Sequence, residues 1–402
     1  AGFYGLVNRG FDRIVCTPYD FPLQESPCLF CGQCVSTCPV GALSARLSIG
    51  KGRPWELEQT DTVCPYCGVG CTLTLWTKEN RVVRVTAPLE RGVNRGNLCV
   101  KGRFGYQYIS SKERLTAPLV KQADGTFRKT GWKKAIALVA ERLSGVRDFY
   151  GPDAVGGLAS ARCTNEENYL FQKFMRACVG TNNVDHCARL CHSPTVAGLA
   201  ATFGSGAMTN SIGDIGLADV TLIIGSNTTE THPVISMEII KSVKAGRTRV
   251  IVVDPRNIMM ARFAEVVLNQ KPGTDVAVLN GMMNWIIRKR LHDREFIAAR
   301  TEGFEEFRKT VARYTPERVE EISGVPAAEI KRAAELYARA GSANILYAMG
   351  ITQHTTGTEN VMAIADLAML TGNIGRPGTG VNPLRGQNNV QGACDMGALP
   401  DV

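Results

Sequence analysis

Two cysteines and two histidines lie close together in the run NNVDHCARLCHSP, which occupies residues 182–194. They are His186, Cys187, Cys191 and His192. Thiolates and imidazoles bind metal ions, and a thiol beside an imidazole can also act as a nucleophile. A zinc site that uses all four side chains is unfavourable, because neighbours on a helix point about 100° apart. The residues alone leave a metal site with fewer ligands, a reactive cysteine, or buried side chains without chemistry.

Four cysteines in the run CLFCGQCVSTCP follow the spacing C-x2-C-x2-C-x3-C-P. They are Cys28, Cys31, Cys34 and Cys38. In the bacterial ferredoxin motif with this spacing, three thiolates bind one 4Fe-4S cluster and the fourth reaches a neighbouring cluster. A zinc site is the alternative, but four cysteines so close together on one loop favour the iron-sulfur cluster.

This motif requires partner ligands that the sequence before it does not supply. Cys38 should bind a second cluster, and the first three cysteines should receive a fourth ligand from a repeat of the motif. We therefore expect the chain to be a fragment that begins inside a two-cluster ferredoxin-like domain. The alternative is that Cys16 completes a single cluster.

A second constellation lies in CPYCGVGC and GNLCVKG. It contains Cys64, Cys67, Cys71 and the more distant Cys99, and nearby glycines let the backbone approach the sulfurs. Three clustered thiolates and one distant thiolate predict a complete 4Fe-4S site, with structural zinc as the alternative. Lys101 follows two residues after Cys99, but a single lysine is ordinarily a solvated surface charge.

The composition is that of a globular protein with a large core. The chain has 402 residues, of which 44% are hydrophobic, and no run approaches the roughly 18 apolar residues that span a bilayer. Fourteen cysteines in a chain of this size favour metal binding or redox chemistry over disulfides. The net charge of +9 is scattered, so an anionic cofactor or substrate explains it as well as a polyanion would.

From about residue 116, strand and helix patterns alternate, which predicts open parallel sheets covered by helices. One unit reads as the strand ADVTLIIGSN, the helix HPVISMEIIKSVKAG and the strand TRVIVVDPR. It places Gly225 and Asn227 at one carboxyl end, and Asp254 and Arg256 at the next, where a nucleotide would bind. There is no G-x-G-x-x-G, so a plain sheet edge with turn residues is the alternative.

A family resemblance is carried by four runs: CPYCGVGC, NLCVKG, NNVDHCARLCHSPTVAGL and LRGQNNVQGACDMGALPD. Together they resemble the catalytic alpha subunit of molybdenum- or tungsten-dependent formate dehydrogenases, which belong to the bis-molybdopterin guanine dinucleotide oxidoreductases. The resemblance covers essentially the whole chain. It implies an α/β fold with doubly wound open sheets of the molybdopterin oxidoreductase type at residues 116–402, incomplete at the C-terminus. A partial ferredoxin-like 4Fe-4S segment at 1–57 and a 4Fe-4S-binding subdomain at 58–115 are expected to precede it.

The resemblance also implies a role for each central residue. Formate dehydrogenases carry selenocysteine or cysteine immediately before a histidine here, which makes Cys191 the protein ligand to molybdenum or tungsten. A soft thiolate suits a sulfur-rich metal centre held by two dithiolenes. His192 is expected to manage the proton or polarise the substrate, with Cys187 and His186 as supporting residues. Arg385 is expected to hold formate through paired hydrogen bonds.

The expected cofactor contacts follow from the same resemblance. Lys101 is expected to bridge the proximal 4Fe-4S cluster and one pterin. The other expected contacts to bis-molybdopterin guanine dinucleotide are Gly225, Asn227, Asp254, Arg256, Gly273, Asp275, Met349, Gly350, Gln353 and Gln387.

The reaction implied is the oxidation of formate to CO2, or its reverse, with two electrons leaving through the 4Fe-4S clusters. The expected partners are flavin- and iron-sulfur-containing diaphorase-type subunits that reduce NAD, or a ferredoxin. The resemblance implies a cytoplasmic protein with no nucleic-acid partner and no membrane span. The alternatives are a related enzyme such as nitrate reductase, or a non-catalytic electron-transfer subunit. The pair Cys191 and His192 and the loop with Arg385 argue against both.

Overall fold

The computed structural model describes residues 4–26 and 28–400, and the strands in those ranges form five sheets. The strands are β1 (Gly5–Val7), β2 (Ile14–Cys16), β3 (Glu58–Val63), β4 (Thr72–Lys78), β5 (Arg81–Thr86), β6 (Leu119–Lys121), β7 (Phe127–Lys129), β8 (Gly157–Ala159), β9 (Val184–His186), β10 (Val220–Ile224), β11 (Arg249–Val253), β12 (Val266–Leu268), β13 (Ala343–Tyr347) and β14 (Gly380–Pro383).

Most of the helices lie after residue 131. They are α1 (Gln33–Thr37), α2 (Val100–Phe104), α3 (Trp132–Tyr150), α4 (Asn165–Lys173), α5 (Ala188–Cys191), α6 (Ser193–Phe203), α7 (Ile212–Ile215), α8 (Thr228–Thr231), α9 (Pro233–Lys244), α10 (Asp275–Arg288), α11 (Arg294–Arg300), α12 (Phe304–Val311), α13 (Pro316–Ser323), α14 (Ala327–Ala338), α15 (Met349–Thr352), α16 (Gly357–Leu370) and α17 (Val390–Asp395). Among the described residues, no helix combines the length and apolar character needed to cross a lipid bilayer.

The largest sheet is parallel throughout and has the strand order β12-β11-β10-β13-β14. Every residue of β10 and β13 is buried, as expected for strands that are covered on both faces. In the centre of the sheet, Val220 lies opposite both Arg249 and Ala343. The apolar runs in the sequence therefore form the middle of an open α/β sheet.

Successive side chains of β10 enter two different hydrophobic cores. Leu222 and Ile224 pack with residues of α10, α14 and α16 on one face. Ile223 packs with residues of α9 and with the cysteine loop on the opposite face. Helices thus cover both faces, and the predicted doubly wound open sheet is confirmed.

The strand order reverses between β10 and β13, because β11 and β12 lie on one side of β10 while β13 and β14 lie on the other. Open α/β sheets bind ligands beyond the carboxyl ends of their strands at such a position. The residues that follow β10, β13 and β14 therefore come together at one end of the sheet.

A three-stranded antiparallel sheet, β3-β4-β5, carries three cysteines of the second constellation in the loop between β3 and β4, and the fourth, Cys99, precedes α2. Val63 pairs with Thr72 where β3 ends and β4 begins. The Cys64 amide then donates to the Cys71 carbonyl oxygen at 2.8 Å, which continues the pairing by one step. The loop 64–71 is closed at its base, and its cysteines are held near one another.

Asp366 in α16 is an acid whose environment makes the stability of the protein pH-dependent. It lines a small cleft with Phe304, Phe307 and Met369, and burial raises its pKa from 3.8 to about 6. The favourable contribution of the neutral acid is complete below pH 4 and is lost as the pH rises through 6.

We expect Asp366→Asn to stabilise the fold by about 3 kcal/mol above pH 7 and by less than about 1 kcal/mol near pH 4. Thermal melting at both pH values measures the difference. An equal gain in melting temperature at both pH values would contradict a titrating carboxyl as its source.

Candidate active site

The central motif is divided between a strand and two helices. β9 ends at His186, α5 ends at Cys191, and α6 begins at Ser193. His192 joins the two helices with φ −127° and ψ 17°, and Pro194 stands in the first turn of α6. The motif is therefore not one continuous helix, and Cys191 and His192 are held at a bend.

Cys191 lies against the loop that follows β14. It is 4% exposed, and burial raises the pKa of its thiol. The Arg385 guanidinium and the Gly386 backbone amide act in the opposite direction and favour the thiolate. The structure thus brings Cys191 next to Arg385, although the two are far apart in the sequence.

The Arg385 side chain lines a cavity of about 470 Å³ between α5, α6 and α17. His192 and Cys394 line the same cavity. One guanidinium nitrogen, Nη2, donates to the Gly206 carbonyl oxygen at 2.9 Å, which orients the planar group. Arg385 has further N–H donors, and an anionic ligand in the cavity could accept hydrogen bonds from them.

His192 is fully buried, and both of its ring nitrogens have hydrogen-bond partners. Nε2 lies 3.2 Å from the Leu384 carbonyl oxygen, which can only accept, so Nε2 carries the hydrogen. Nδ1 then accepts from the Thr195 hydroxyl at 2.9 Å, and Thr195 accepts in turn from Tyr347 at 3.1 Å.

This environment changes the expectation for His192. Burial, with the Arg385 charge as a further cause, lowers the pKa of His192 from 6.5 to about 3. The ring therefore stays neutral at physiological pH, whereas the expected proton exchange relied on an ordinary imidazole. The structure favours a positioning role, and proton transfer by His192 stays a prediction.

The four cysteines of the second constellation converge. Cys64, Cys71 and Cys99 are buried, and Cys67 is half-buried. Burial raises the pKa of Cys64 to about 11, and the neighbouring thiols Cys67 and Cys99 contribute. Burial also raises the pKa of Cys71, with further contributions from the other three.

The cysteine arrangement suits a cluster because iron would neutralise the mutually repelling thiolates. In the described ranges, no three His, Cys, Asp or Glu side chains are placed to hold a single metal ion. Each thiolate of a 4Fe-4S cluster binds a different iron, so a single-ion arrangement is not required.

Lys101 in α2 lies between the cysteine constellation and the Arg385 loop. Burial raises the pKa of Cys64 and Cys67, and the Lys101 charge opposes that rise. Burial lowers the pKa of His232, and the Lys101 charge adds to that fall. The His232 ring in turn donates to the Arg385 carbonyl oxygen at 2.7 Å. This location agrees with the expected bridge between cluster and pterin, which stays a prediction.

Three family models match the chain. A 4Fe-4S binding domain matches residues 22–44, a molybdopterin oxidoreductase Fe4S4 domain matches 57–111, and a molybdopterin oxidoreductase domain matches 114–401. The chain belongs to the molybdopterin oxidoreductase family. These matches confirm the predicted cofactor classes, which are 4Fe-4S clusters and a molybdenum- or tungsten-carrying pterin.

Relatives of this molybdopterin oxidoreductase confirm the resemblance to formate dehydrogenase alpha subunits. The F420-dependent formate dehydrogenase subunit alpha of Methanocaldococcus jannaschii is 52% identical over 347 residues, which cover 86% of this chain and 50% of the relative. Formate dehydrogenase H of Escherichia coli is 48% identical over 352 residues, which cover 86% of this chain and 49% of the relative. The chain thus spans about half the length of these relatives.

A solved structure agrees with the fold. Acetylene hydratase from Pelobacter acetylenicus superposes with a TM-score of 0.71 at 26% sequence identity. The match covers 80% of this chain and 44% of the hydratase.

In this molybdopterin oxidoreductase, several expected cofactor contacts meet where the strand order reverses. Gly225 has φ +57°, and a Cβ there would lie 2.7 Å from the carbonyl carbon of Gly350. The Gly350 amide donates to the Gly225 carbonyl oxygen at 3.1 Å. Gln353 reaches α5, where its Nε2 donates to the Leu190 carbonyl oxygen at 2.7 Å. Met349 lies beside the Arg385 loop.

A second group of expected contacts lies beyond β11 and β12. Asp254 is buried and accepts hydrogen bonds from the amide and Nε of Arg256 at 2.9 and 3.2 Å. Asp275 accepts from Gln270 at 2.9 Å, and burial raises its pKa. Gly273 forms the turn before α10 with φ +83°. The roles of these residues in nucleotide binding stay predictions.

The loop after Arg385 offers acceptors to a bound pterin. The side-chain oxygens of Gln387 and Asn388 are buried and have no hydrogen-bond partner among the described residues. Unsatisfied buried acceptors are unfavourable unless a ligand or water supplies a donor. The N–H groups of a pterin would satisfy them, so these residues fit the cofactor.

The first cysteine run meets the second constellation at Arg103, which sequence reasoning missed. Arg103 is 4% exposed, and its Nε donates to the Cys31 carbonyl oxygen at 2.8 Å. Its Nη2 donates to Gln33 Oε1 at 2.6 Å. Arg103 follows Lys101 by two residues in α2, a spacing that places them on different faces of the helix. The only indication of Arg103 in the sequence was this spacing, which turns it away from the face that carries Lys101.

Cys38 accepts a hydrogen bond from the Leu43 backbone amide, 3.5 Å from its sulfur. The charges of other cysteines of the run, including Cys34, act on the pKa of Tyr4 and on that of Arg103. The backbone amides of residues 40–43, Leu43 first among them, lower the pKa of Cys38. The ligand assignment of the run, with its alternative at Cys16, stays a prediction.

We expect Arg103→Met to loosen the contact between the first cysteine run and α2 by about 2 kcal/mol, because it removes two buried hydrogen bonds of a charged group. Limited proteolysis should then cleave residues 28–38 faster than in the unmodified protein. Arg114→Met, at an exposed arginine, serves as the control and should leave the cleavage rate unchanged. Equal cleavage rates in all three proteins would contradict the role of Arg103.

Proposed function

We propose that this chain carries the active site of a formate dehydrogenase, which oxidises formate to CO2 or catalyses the reverse reaction. The observation that carries the proposal is that His192 and Arg385 line one cavity, while Cys191, next to His192 in the chain, is close enough to Arg385 for the guanidinium charge to favour its thiolate. A thiolate can bind the metal, a guanidinium can bind a one-carbon carboxylate, and a neutral imidazole can hold the backbone beside them.

Each residue then has a separate task. Arg385 binds the formate carboxylate through its free N–H donors and fixes its orientation. Cys191 would hold the molybdenum or tungsten of the bis-molybdopterin guanine dinucleotide, and when bound this group accepts two electrons. His192, neutral and held at both nitrogens, keeps the Leu384–Arg385 backbone in place beside the substrate.

The proposed electron path leads outward through the cysteine constellations. Lys101 lies beside the cluster cysteines and close to the Arg385 loop, which supports a contact between cluster and pterin. Arg103 adjoins both constellations. The proposed acceptors are diaphorase-type flavin and iron-sulfur subunits that reduce NAD, or a ferredoxin, in the cytoplasm. Three relatives are named F420-dependent, which adds F420 to the acceptors worth testing.

Steady-state assays of the full-length, cofactor-loaded protein test this proposal. Formate and nitrate are offered separately, with a redox dye as electron acceptor or donor, and molybdenum, tungsten and iron are measured by elemental analysis. We expect formate-dependent dye reduction and molybdenum or tungsten bound to the protein. Nitrate reduction without formate oxidation would assign the site to the other enzyme class. Absence of both metals would indicate a non-catalytic electron-transfer subunit.

A further inference from the structure

We propose that His232 is a positioning residue for the substrate-binding arginine, acting together with the backbone amide of Gly68. The proposal rests on the proposed function of Arg385. Neither residue was singled out for this role from the sequence, where His232 has the plain setting THPV after a strand. The two residues come from different parts of the chain and meet at a single carbonyl oxygen.

The Arg385 carbonyl oxygen accepts two hydrogen bonds. His232 Nε2 lies 2.7 Å from it, and the Gly68 amide nitrogen lies 3.0 Å from it. A carbonyl oxygen only accepts, so His232 carries its hydrogen on Nε2. His232 is 1% exposed, and burial lowers its pKa, which agrees with a neutral ring.

The preceding carbonyl is held in the same way. His192 donates from Nε2 to the Leu384 carbonyl oxygen at 3.2 Å, so two buried imidazoles fix two consecutive peptide groups. His192 precedes α6 and His232 precedes α9, and a proline stands in the first turn of each helix. The backbone of the substrate arginine is thus held by hydrogen bonds from the residues that precede two rigid helices.

Gly68 brings the cysteine loop into the same contact. A Cβ at Gly68 would lie 2.6 Å from both the Cβ and the carbonyl oxygen of Arg385. No larger side chain fits without moving the Arg385 backbone. The glycine is therefore required by this close approach, and the iron-sulfur loop directly supports the substrate arginine.

These hydrogen bonds determine the position of the Arg385 guanidinium rather than the stability of the whole fold. With its backbone fixed, Arg385 can present its donors at a constant position, and the Gly206 carbonyl oxygen fixes the far end. Without the His232 hydrogen bond, the backbone at Arg385 can shift, and the anion is held in several orientations. Such a loss affects anion affinity more than the later electron transfer.

The test compares His232→Leu with His232→Gln in the cofactor-loaded full-length protein. Glutamine retains an N–H donor and leucine does not. We expect His232→Leu to lower kcat/KM for formate about 10- to 100-fold, chiefly through a higher KM. His232→Gln should recover to within about 5-fold of the unmodified protein. Azide, a small anion, should bind more weakly to the leucine variant in the same proportion.

His292→Leu, at a half-buried histidine in a separate cleft, is the matched control and should leave KM unchanged. Equal losses in the leucine and glutamine variants, or an unchanged KM in both, would overturn the role of His232. Loss of iron or of molybdenum or tungsten with the KM effect would also overturn it, because the role would then be structural. If the unmodified protein does not oxidise formate, the proposed function fails, whereas azide affinity still tests the positioning of Arg385.

Discussion

Cys191→Ser is expected to lower kcat for formate at least about 1,000-fold, while the iron content of the protein stays unchanged. The reason is the difference between a thiolate and a hydroxyl. A thiolate is a soft ligand, whereas a serine hydroxyl is a hard and weakly acidic donor. Burial raises the pKa of Cys191, and Arg385 and the Gly386 amide oppose that rise. The cluster cysteines lie on other elements, so their iron is unaffected.

The measurement is dye-linked formate oxidation together with elemental analysis for iron, molybdenum and tungsten. Cys187→Ser is the matched control, since the Cys187 sulfur accepts a hydrogen bond from the Ala161 amide at 3.4 Å. A serine oxygen can take over that bond, and activity should stay within about 3-fold. If Cys187→Ser abolished activity and Cys191→Ser did not, the ligand assignment would be wrong.

Arg385→Lys is expected to lower kcat/KM for formate by about 100-fold, and Arg385→Gln by about 1,000-fold. Lysine retains the charge but loses the planar fork that matches a carboxylate. It also loses the oriented bond from Nη2 to the Gly206 carbonyl oxygen. Glutamine loses the charge as well, which explains the larger expected effect.

Formate kinetics for the two variants check this order of effects. Arg300→Lys, at an exposed arginine of α11, is the control and should leave both kcat and KM unchanged. An unchanged KM for formate in Arg385→Gln would mean that the carboxylate is bound by another group.

The sequence by itself determined the cofactor classes and the central sheet. Cysteine spacing within one loop fixes which thiolates can meet, because a short chain segment has few conformations that bring them together. The family matches confirm the 4Fe-4S clusters that this spacing predicted. The run ADVTLIIGSN likewise predicted a strand of an open parallel sheet covered by helices, and this strand, β10, lies at the centre of the doubly wound sheet. Both signals are local and need no knowledge of the rest of the fold.

Only the tertiary structure decided how the residues of the site contact one another. The hydrogen bond from His232 to Arg385 joins residues 153 positions apart, and that from Arg103 to Cys31 joins residues 72 positions apart. At the bend of Cys191 and His192, the hydrogen bond from His192 to the Leu384 carbonyl oxygen joins residues 192 positions apart. The pKa of His192 near 3 arises from burial beneath that loop and from the Arg385 charge. Sequence patterns report local geometry and solvent preference, whereas burial and long-range hydrogen bonds depend on which elements the fold brings together.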